Sequence, residues 1–323
     1  MDDLTSEFDI AWKQALEWFF EPFAGFFFAE VHREIDWSRE PIFLDKELQQ
    51  VVPEAATGRG TVDKLVKLFT REGEERWVLV HAEVQSQHDA GFAERMYLYN
   101  RRLSDKYGRM PVSLAVFGDE STKWRPDVHH DGRWGCSVRF RFPTAKVLDY
   151  KGRDAELEAD RNPFAVVTLA HLKTLETRGD PAARYDWKFR LVKGLYDRGL
   201  TKVQVQQLFR VMDWVLKLPK LFKTQLQADI TKFEEGKNVQ LLSPMEQMWK
   251  EEGLAKGVQE GLQQGLQQGL QAALKLRFKQ AGLDQMPRVQ AITDPVELER
   301  LLEALETVPD VEAFSALLPP QQA

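Results

Sequence analysis

Cysteine is almost missing from this sequence. Cys136 stands alone among 323 residues, so neither an intramolecular disulfide nor a cysteine-rich zinc site can be built, which fits a reducing cytosol. Long apolar runs are also lacking. The most apolar stretch, WFFEPFAGFFF from Trp18 to Phe28, is too short to cross a bilayer and is interrupted by Glu21 and Pro22. It reads as a core helix and a turn. A basic leader is absent too, because MDDLTSEFD is acidic where a secretory n-region would be basic; a cytoplasmic protein with no membrane association is expected. Positive charge is not in excess: a net charge of −6 argues against a nonspecific nucleic-acid packager while leaving room for a local basic surface. The phosphate-binding loop, the dinucleotide fingerprint and the GxSxG elbow do not occur.

What is present suits a globular chain, since 43% hydrophobic and 11% aromatic residues supply a sizeable core. Helical spacing of Phe8, Trp12, Ala15, Leu16, Phe19 and Phe20 predicts an amphipathic helix over about Glu7 to Phe20. A loop-rich stretch follows through Gly58-Arg59-Gly60. TVDKLVKLF, Thr61 to Phe69, reads as a strand, REGEER as a turn, and WVLVHAEVQSQ from Trp77 as an antiparallel neighbour. Side chains alternate along a strand, so Val78, Val80, Ala82 and Val84 make an apolar face. Trp77, Leu79, His81, Glu83 and Gln85 make the other, which turns polar only at its end. Ala90 to Gly108 reads as a helix with Phe92, Met96, Tyr99 and Leu103 inward. MPVSLAVFGD predicts a third strand, and SVRFRFP and AKVLDY, between Ser137 and Tyr150, further ones. VHHDGRW, Val128 to Trp134, reads as a loop turning at Asp131-Gly132, without a third ligand at zinc spacing. The order α-β-β-α-β favours an α/β core, and Asn162 to about Phe233 is mostly helical.

Glycine recurs at 253, 257, 261, 265 and 269, each followed by an apolar residue, a stripe that drifts slowly around a helix. Each internal glycine costs about 0.5–1 kcal/mol against alanine, so the stripe either packs on a partner helix, within the chain or in a homodimer through Gly253 to Gly269, or serves as a flexible spacer. The Gln, Glu and Lys within it argue against a membrane helix. VELERLLEALETV and VEAFSALL then form a helical hairpin closed by Pro319-Pro320. The expected organisation is a core over residues 1–155, a helical region over 156–245 completing or packing on it, a glycine-spaced helix over 246–280 and a small helical module over 281–323.

Antiparallel pairing brings Asp63, near the start of one strand, toward Glu83, near the end of the next. Two carboxylates offer hard oxygen ligands, and Mg²⁺ is held by one or two of these with water and phosphate completing its shell. Such an ion would activate water for phosphodiester cleavage. Gln85, on the face of Glu83, could orient that water or bond a phosphate oxygen, but it carries no positive charge. The competing reading is a strand terminus meeting water, with Asp63 beside Arg59 or Lys64. Arg95, Arg101, Arg102 and Lys106 are candidates to follow a DNA backbone, or else the solvated face of an amphipathic helix.

Asp63, the E-x-Q of Glu83-Val84-Gln85, the helix FAERMYLYNRRL and the opening FDIAWKQALEWFFEPF with Asp9 and Lys13 together resemble the recombination-promoting nuclease (Rpn), YhgA-like transposase family of the PD-(D/E)XK nuclease superfamily. The glycine-spaced segment and the LKLRF…ITDPVELERLLEAL module resemble the tails of such proteins. The resemblance implies a restriction-endonuclease-like α/β core of αβββαβ order, with a mixed sheet flanked by helices and a mainly helical C-terminal region. It also implies a Mg²⁺-dependent DNA endonuclease, Mn²⁺ being an alternative ion, associated with recombination or transposition. Asp63 and Glu83 would be metal ligands, the backbone carbonyl of Val84 a third, and Gln85 would occupy the lysine slot of the superfamily. Lys13 or Lys64 would then supply the missing charge. The alternative is a catalytically silent nuclease-fold protein acting through its glycine-striped helix and terminal module.

Overall fold

The computed structural model describes residues 2–51, 61–83, 91–242, 265–290, 292, 295–315 and 317–318; of the side chains within these ranges, those of Asp9, Asp63 and Glu83 are among the ones not described. The chain divides into two compact units, Met1–Ser243 and Pro244–Ala323.

The first unit is built on a mixed five-stranded sheet. Strands β1 (Ile42–Phe43), β2 (Thr61–Phe69), β3 (Glu75–Glu83), β4 (Val112–Phe117) and β7 (Thr144–Lys146) lie in the order β1-β2-β3-β4-β7. The first three pair antiparallel, and β4 is parallel to both β3 and β7. Helix α5 (Phe92–Tyr107) makes the crossover from β3 to β4. The alternation expected from the sequence is realised: Val78 and Val80 are buried on one side of β3, while Leu79 packs with Leu65, Tyr99 and Leu103 on the α5 side. Gly108, at φ 63°, ends α5 in the left-handed conformation that glycine adopts without steric cost.

On the other side of the sheet, α1 (Asp2–Trp18) buries Trp12, Ala15 and Leu16. The turn expected after it is instead a second helix, α2 (Phe20–Phe27), because Pro22 falls within the first turn, where a missing N–H costs nothing. The supposed loop before Gly58 likewise holds a short helix, α3 (Ala29–Glu34), strand β1 and a second short helix, α4 (Asp45–Val51). After the short helix α6 (Asp154–Ala159), helix α7 (Pro163–Glu176) is buried over twelve consecutive residues from Pro163 to Thr174, so it runs through the interior. Asn162 caps it by accepting from the Phe164 N–H at 2.8 Å. Helices α8 (Pro181–Leu195) and α9 (Lys202–Val215) pack on it, α9 also packs on α1, and α10 (Lys220–Lys237) packs on α8.

Two strand expectations need correction. VHHDGRW is no loop but strand β5 (Val128–Arg133), paired with β6 (Cys136–Arg141) in a separate ribbon. The turn sits at Trp134-Gly135, both at positive φ, and Gly132 is needed for close cross-strand approach: a Cβ there would lie 2.7 Å from Ser137 Cβ. AKVLDY is strand only to Lys146, then a 3-10 turn over Val147–Tyr150.

In the second unit, residues 265–283 are helical, followed by short helices Met286–Gln290, Pro295–Thr307 and Val311–Ser315. Leu270, Leu274, Leu298, Leu301, Leu305 and Phe314 form its core. Leucines make this packing: a Cβ at Gly265 would meet nothing within 4 Å, and one at Gly269 only Leu302 at 4.0 Å. Gly253, Gly257 and Gly261 lie outside the described residues. Among the described residues, no helix is long and apolar enough to cross a membrane.

His171 joins three elements of the first unit. Its Nδ1 accepts from Trp12 Nε1 at 3.3 Å and its Nε2 donates to the Gly118 carbonyl at 2.9 Å, an arrangement only the neutral ring satisfies. Burial pushes its pKa down from 6.5 to about 4. Between those values the unfolded chain takes up a proton that the folded chain does not, so stability falls as pH drops through the window. From pH 7 to pH 4 this amounts to about 3 kcal/mol. Urea unfolding should therefore give a steeper loss for the native chain than for His171→Gln; equal losses would refute the neutral, buried assignment.

Candidate active site at the ends of β2 and β3

The β2–β3 register sets the candidate site. Asp63 lies opposite His81 and Glu83 opposite Thr61. Directly opposed residues share a face, as do residues two apart, so positions 63, 81 and 83 fall on one face with 63 and 83 as diagonal neighbours. Such positions are roughly 7–8 Å apart at Cα, within reach of long side chains. The structure thus brings the two strand ends together, as the turn between them suggested. Val84 and Gln85 lie outside the described residues.

His81 is buried, and its ring meets Phe92 edge-on at 4.9 Å. Phe92 opens α5, so the N-terminal end of that helix sits at the site end of the sheet. Arg95, in its first turn, holds its guanidinium 5.5 Å from the same Phe92 ring. The other cations chosen from the helix are elsewhere. Arg101 lies about 9 Å further along the axis than Arg95, and Tyr107 packs on Trp77 at 5.1 Å, at the far end of β3. Arg101 and Arg102 are exposed there, Arg101 lies 3.6 Å from Asp105, and Lys106 bonds Gln50 at 3.2 Å. Only Arg95 of the four lies at the carboxylate end.

Lys64 does not serve that face. Adjacent residues of a strand point to opposite sides, and the Lys64 ammonium is fully buried between Glu17 of α1 and Asp45 of α4, 2.6 Å from the latter. A buried ammonium needs such partners to remain charged. Lys13 is exposed on α1 and Asp9 lies in the same helix.

A lysine that sequence reasoning missed does share the row of Glu83. Glu83 pairs with Phe117 and Phe117 with Lys146 on successive parallel strands. Two strand spacings put Lys146 roughly 10 Å from Glu83. Its ammonium is committed: it bonds Asp119 at 2.6 Å and the Trp124 carbonyl at 3.0 Å, beside the Phe117 and Trp124 rings. In the sequence, Gly118-Asp119 after an apolar strand reads as an ordinary turn, and nothing marks Lys146 as its partner. Among the described residues no cluster of three His, Cys, Asp or Glu is placed to hold a metal ion.

No protein-family model matches the chain, and neither a curated protein nor a solved structure matches it.

Lys64→Met should cost about 2 kcal/mol in urea unfolding, since it leaves Glu17 and Asp45 facing each other without their cation, softened by their partial exposure. A double-mutant cycle with Asp45→Asn should recover part of that as coupling. A fully stable Lys64→Met that has lost an activity would instead give Lys64 a chemical role.

Proposed function

We propose that the first unit is a metal-dependent DNA endonuclease of the Rpn-like, PD-(D/E)XK kind, with Asp63 and Glu83 at its centre. The observation that supports this most is the register that sets positions 63 and 83 diagonally on one face where β2 begins and β3 ends. The element order agrees with the reading: a helix, three antiparallel strands, a crossover helix and a parallel fourth strand follow one another as αβββαβ topology requires, with short helices added before and after β1.

The donor set fits a hard divalent cation, because two carboxylates at neighbouring strand ends offer only oxygen, the preference of Mg²⁺ and Mn²⁺. Asp63 and Glu83 would hold it, with the Val84 carbonyl as a third ligand. When bound, the ion supplies a Lewis acid that activates water and stabilises charge on phosphate. Gln85 would orient the attacking water by hydrogen bonding. Buried His81 and Phe92 wall one side against bulk water. The positive charge that Gln85 cannot give comes from Arg95, together with the partial positive charge at the N-terminus of α5.

Purified protein should nick or linearise supercoiled plasmid with Mg²⁺ or Mn²⁺ and not with EDTA. Asp63→Ala and Glu83→Ala should abolish cleavage with unchanged thermal unfolding. Arg95→Gln should slow it roughly a hundredfold, and Arg101→Gln should not. Cleavage that survives Glu83→Ala, or none under any metal, would remove the nuclease assignment.

A further inference from the structure

The β5–β6 ribbon carries a side chain that folding does not explain. Trp134 is 95% exposed at its tip and adopts φ 54°. Two-residue hairpin loops of this kind favour asparagine followed by glycine, and a bulky residue in the left-handed region is a genuine outlier. The chain therefore keeps a large aromatic ring in water in a conformation that disfavours it.

Charge gathers around that ring. Residues 128–141 hold three arginines against one aspartate, in a chain of net charge −6. Pairing puts His130 opposite Arg139 and Val128 opposite Arg141, so both arginines share one face, with Gly132 and Ser137 flattening it toward the tip. Both are exposed. Among the described residues Arg133 and Arg139 form no ion pair, and Arg141 meets only Asp127, at 3.9 Å. Arg133 lies beside the Trp134 ring, 5.5 Å from its centroid. The opposite face is the anchor: Phe140 is buried with Phe92, Trp124 and Phe142, and His129 stacks on Tyr97 at 4.9 Å. Phe92 is the residue that backs His81, so one aromatic cluster supports both the ribbon and the candidate centre.

We propose that the Trp134-tipped β5–β6 ribbon is a DNA-binding element, its Arg139 and Arg141 face lying along the phosphates while Trp134 stacks on or between bases. A two-stranded ribbon fits the major groove, arginines to phosphate position a protein on nucleic acid, and aromatic side chains stack on bases regardless of sequence. Arg139 and Arg141 stand two strand positions, about 7 Å, apart, comparable to the step between successive phosphates. A membrane-dipping tip would present several large apolar side chains; this one presents a single ring among Arg133, Cys136, glycine and serine. The assignment names the DNA contact of the unit read above as a nuclease and rests on that reading for its biological use.

The test is fluorescence anisotropy of the full chain with a short labelled duplex and the matching single strand in EDTA, across a salt series. Trp134→Ala and Trp134→Asn should each weaken binding roughly tenfold. Trp134→Asn should also unfold at the same or a higher temperature, since asparagine suits the turn. Arg139→Gln with Arg141→Gln should flatten the slope of log affinity against log salt by roughly 1.5–2. Binding within twofold of the native chain in all three variants, no binding by the native chain, or Trp134-dependent binding to phosphatidylserine vesicles in place of DNA would each overturn the proposal. Trp134-dependent binding by a chain that never cleaves would sink the nuclease reading alone. Metal-dependent cleavage with Trp134-independent binding would sink the ribbon alone.

Discussion

The register of β2 against β3 is the constraint from which the rest of the first unit follows. A slip of one residue would turn every side chain of β2 to the opposite face. Position 63 would leave the face it shares with position 83, Lys64 would lose Glu17 and Asp45, and Leu65 would leave the cluster it forms with Leu79, Tyr99 and Leu103. Apolar burial and charge pairing therefore select the same alignment.

Charge inside this unit is handled by a repeated device. Lys64, Lys146, Lys173 and Lys188 are all buried, and each ammonium meets a carboxylate: Glu17 and Asp45, Asp119, Asp154 and Glu176, and Asp213. Two of the four, Lys146 and Lys188, also donate to a backbone carbonyl. An unpaired buried ammonium would be far too costly, whereas a paired one fixes how elements meet. Such lysines are poor sources of charge for chemistry. This leaves Arg95, at the N-terminal end of α5, as the cation best situated for the carboxylate end, and the arginines of the β5–β6 ribbon as those best situated for a long polyanion.

Much of this was legible in the sequence. Alternation in Thr61–Phe69 and Trp77–Glu83, with one turn between them, was enough to pair the strands and bring Asp63 and Glu83 to one end. Helical periodicity from Phe92 to Leu103 gave the crossover helix and its inward face. Tertiary effects were not legible. Periodicity cannot say which way Lys64 commits its charge, because Glu17 and Asp45 come from two distant helices. Gly132 looked like a turn residue because glycine serves both turns and close strand contacts, and only the pairing with Ser137 tells them apart. The Trp134-Gly135 turn broke the usual residue preference, so no turn rule could find it. The four cations of α5 read in the sequence as equal candidates to follow a phosphate backbone, but the length of the helix separates Arg95 from the others.

The divalent-cation site proposed at the ends of β2 and β3 carries the nuclease reading. Its most direct test is calorimetric titration of Mn²⁺ into the full chain and into Asp63→Asn and Glu83→Gln, with Lys64→Met as a control on the opposite face. Saturable binding is expected for the native chain and for Lys64→Met, and is lost in both carboxylate variants. Binding that persists without either carboxylate, or no saturable binding at all, would contradict it.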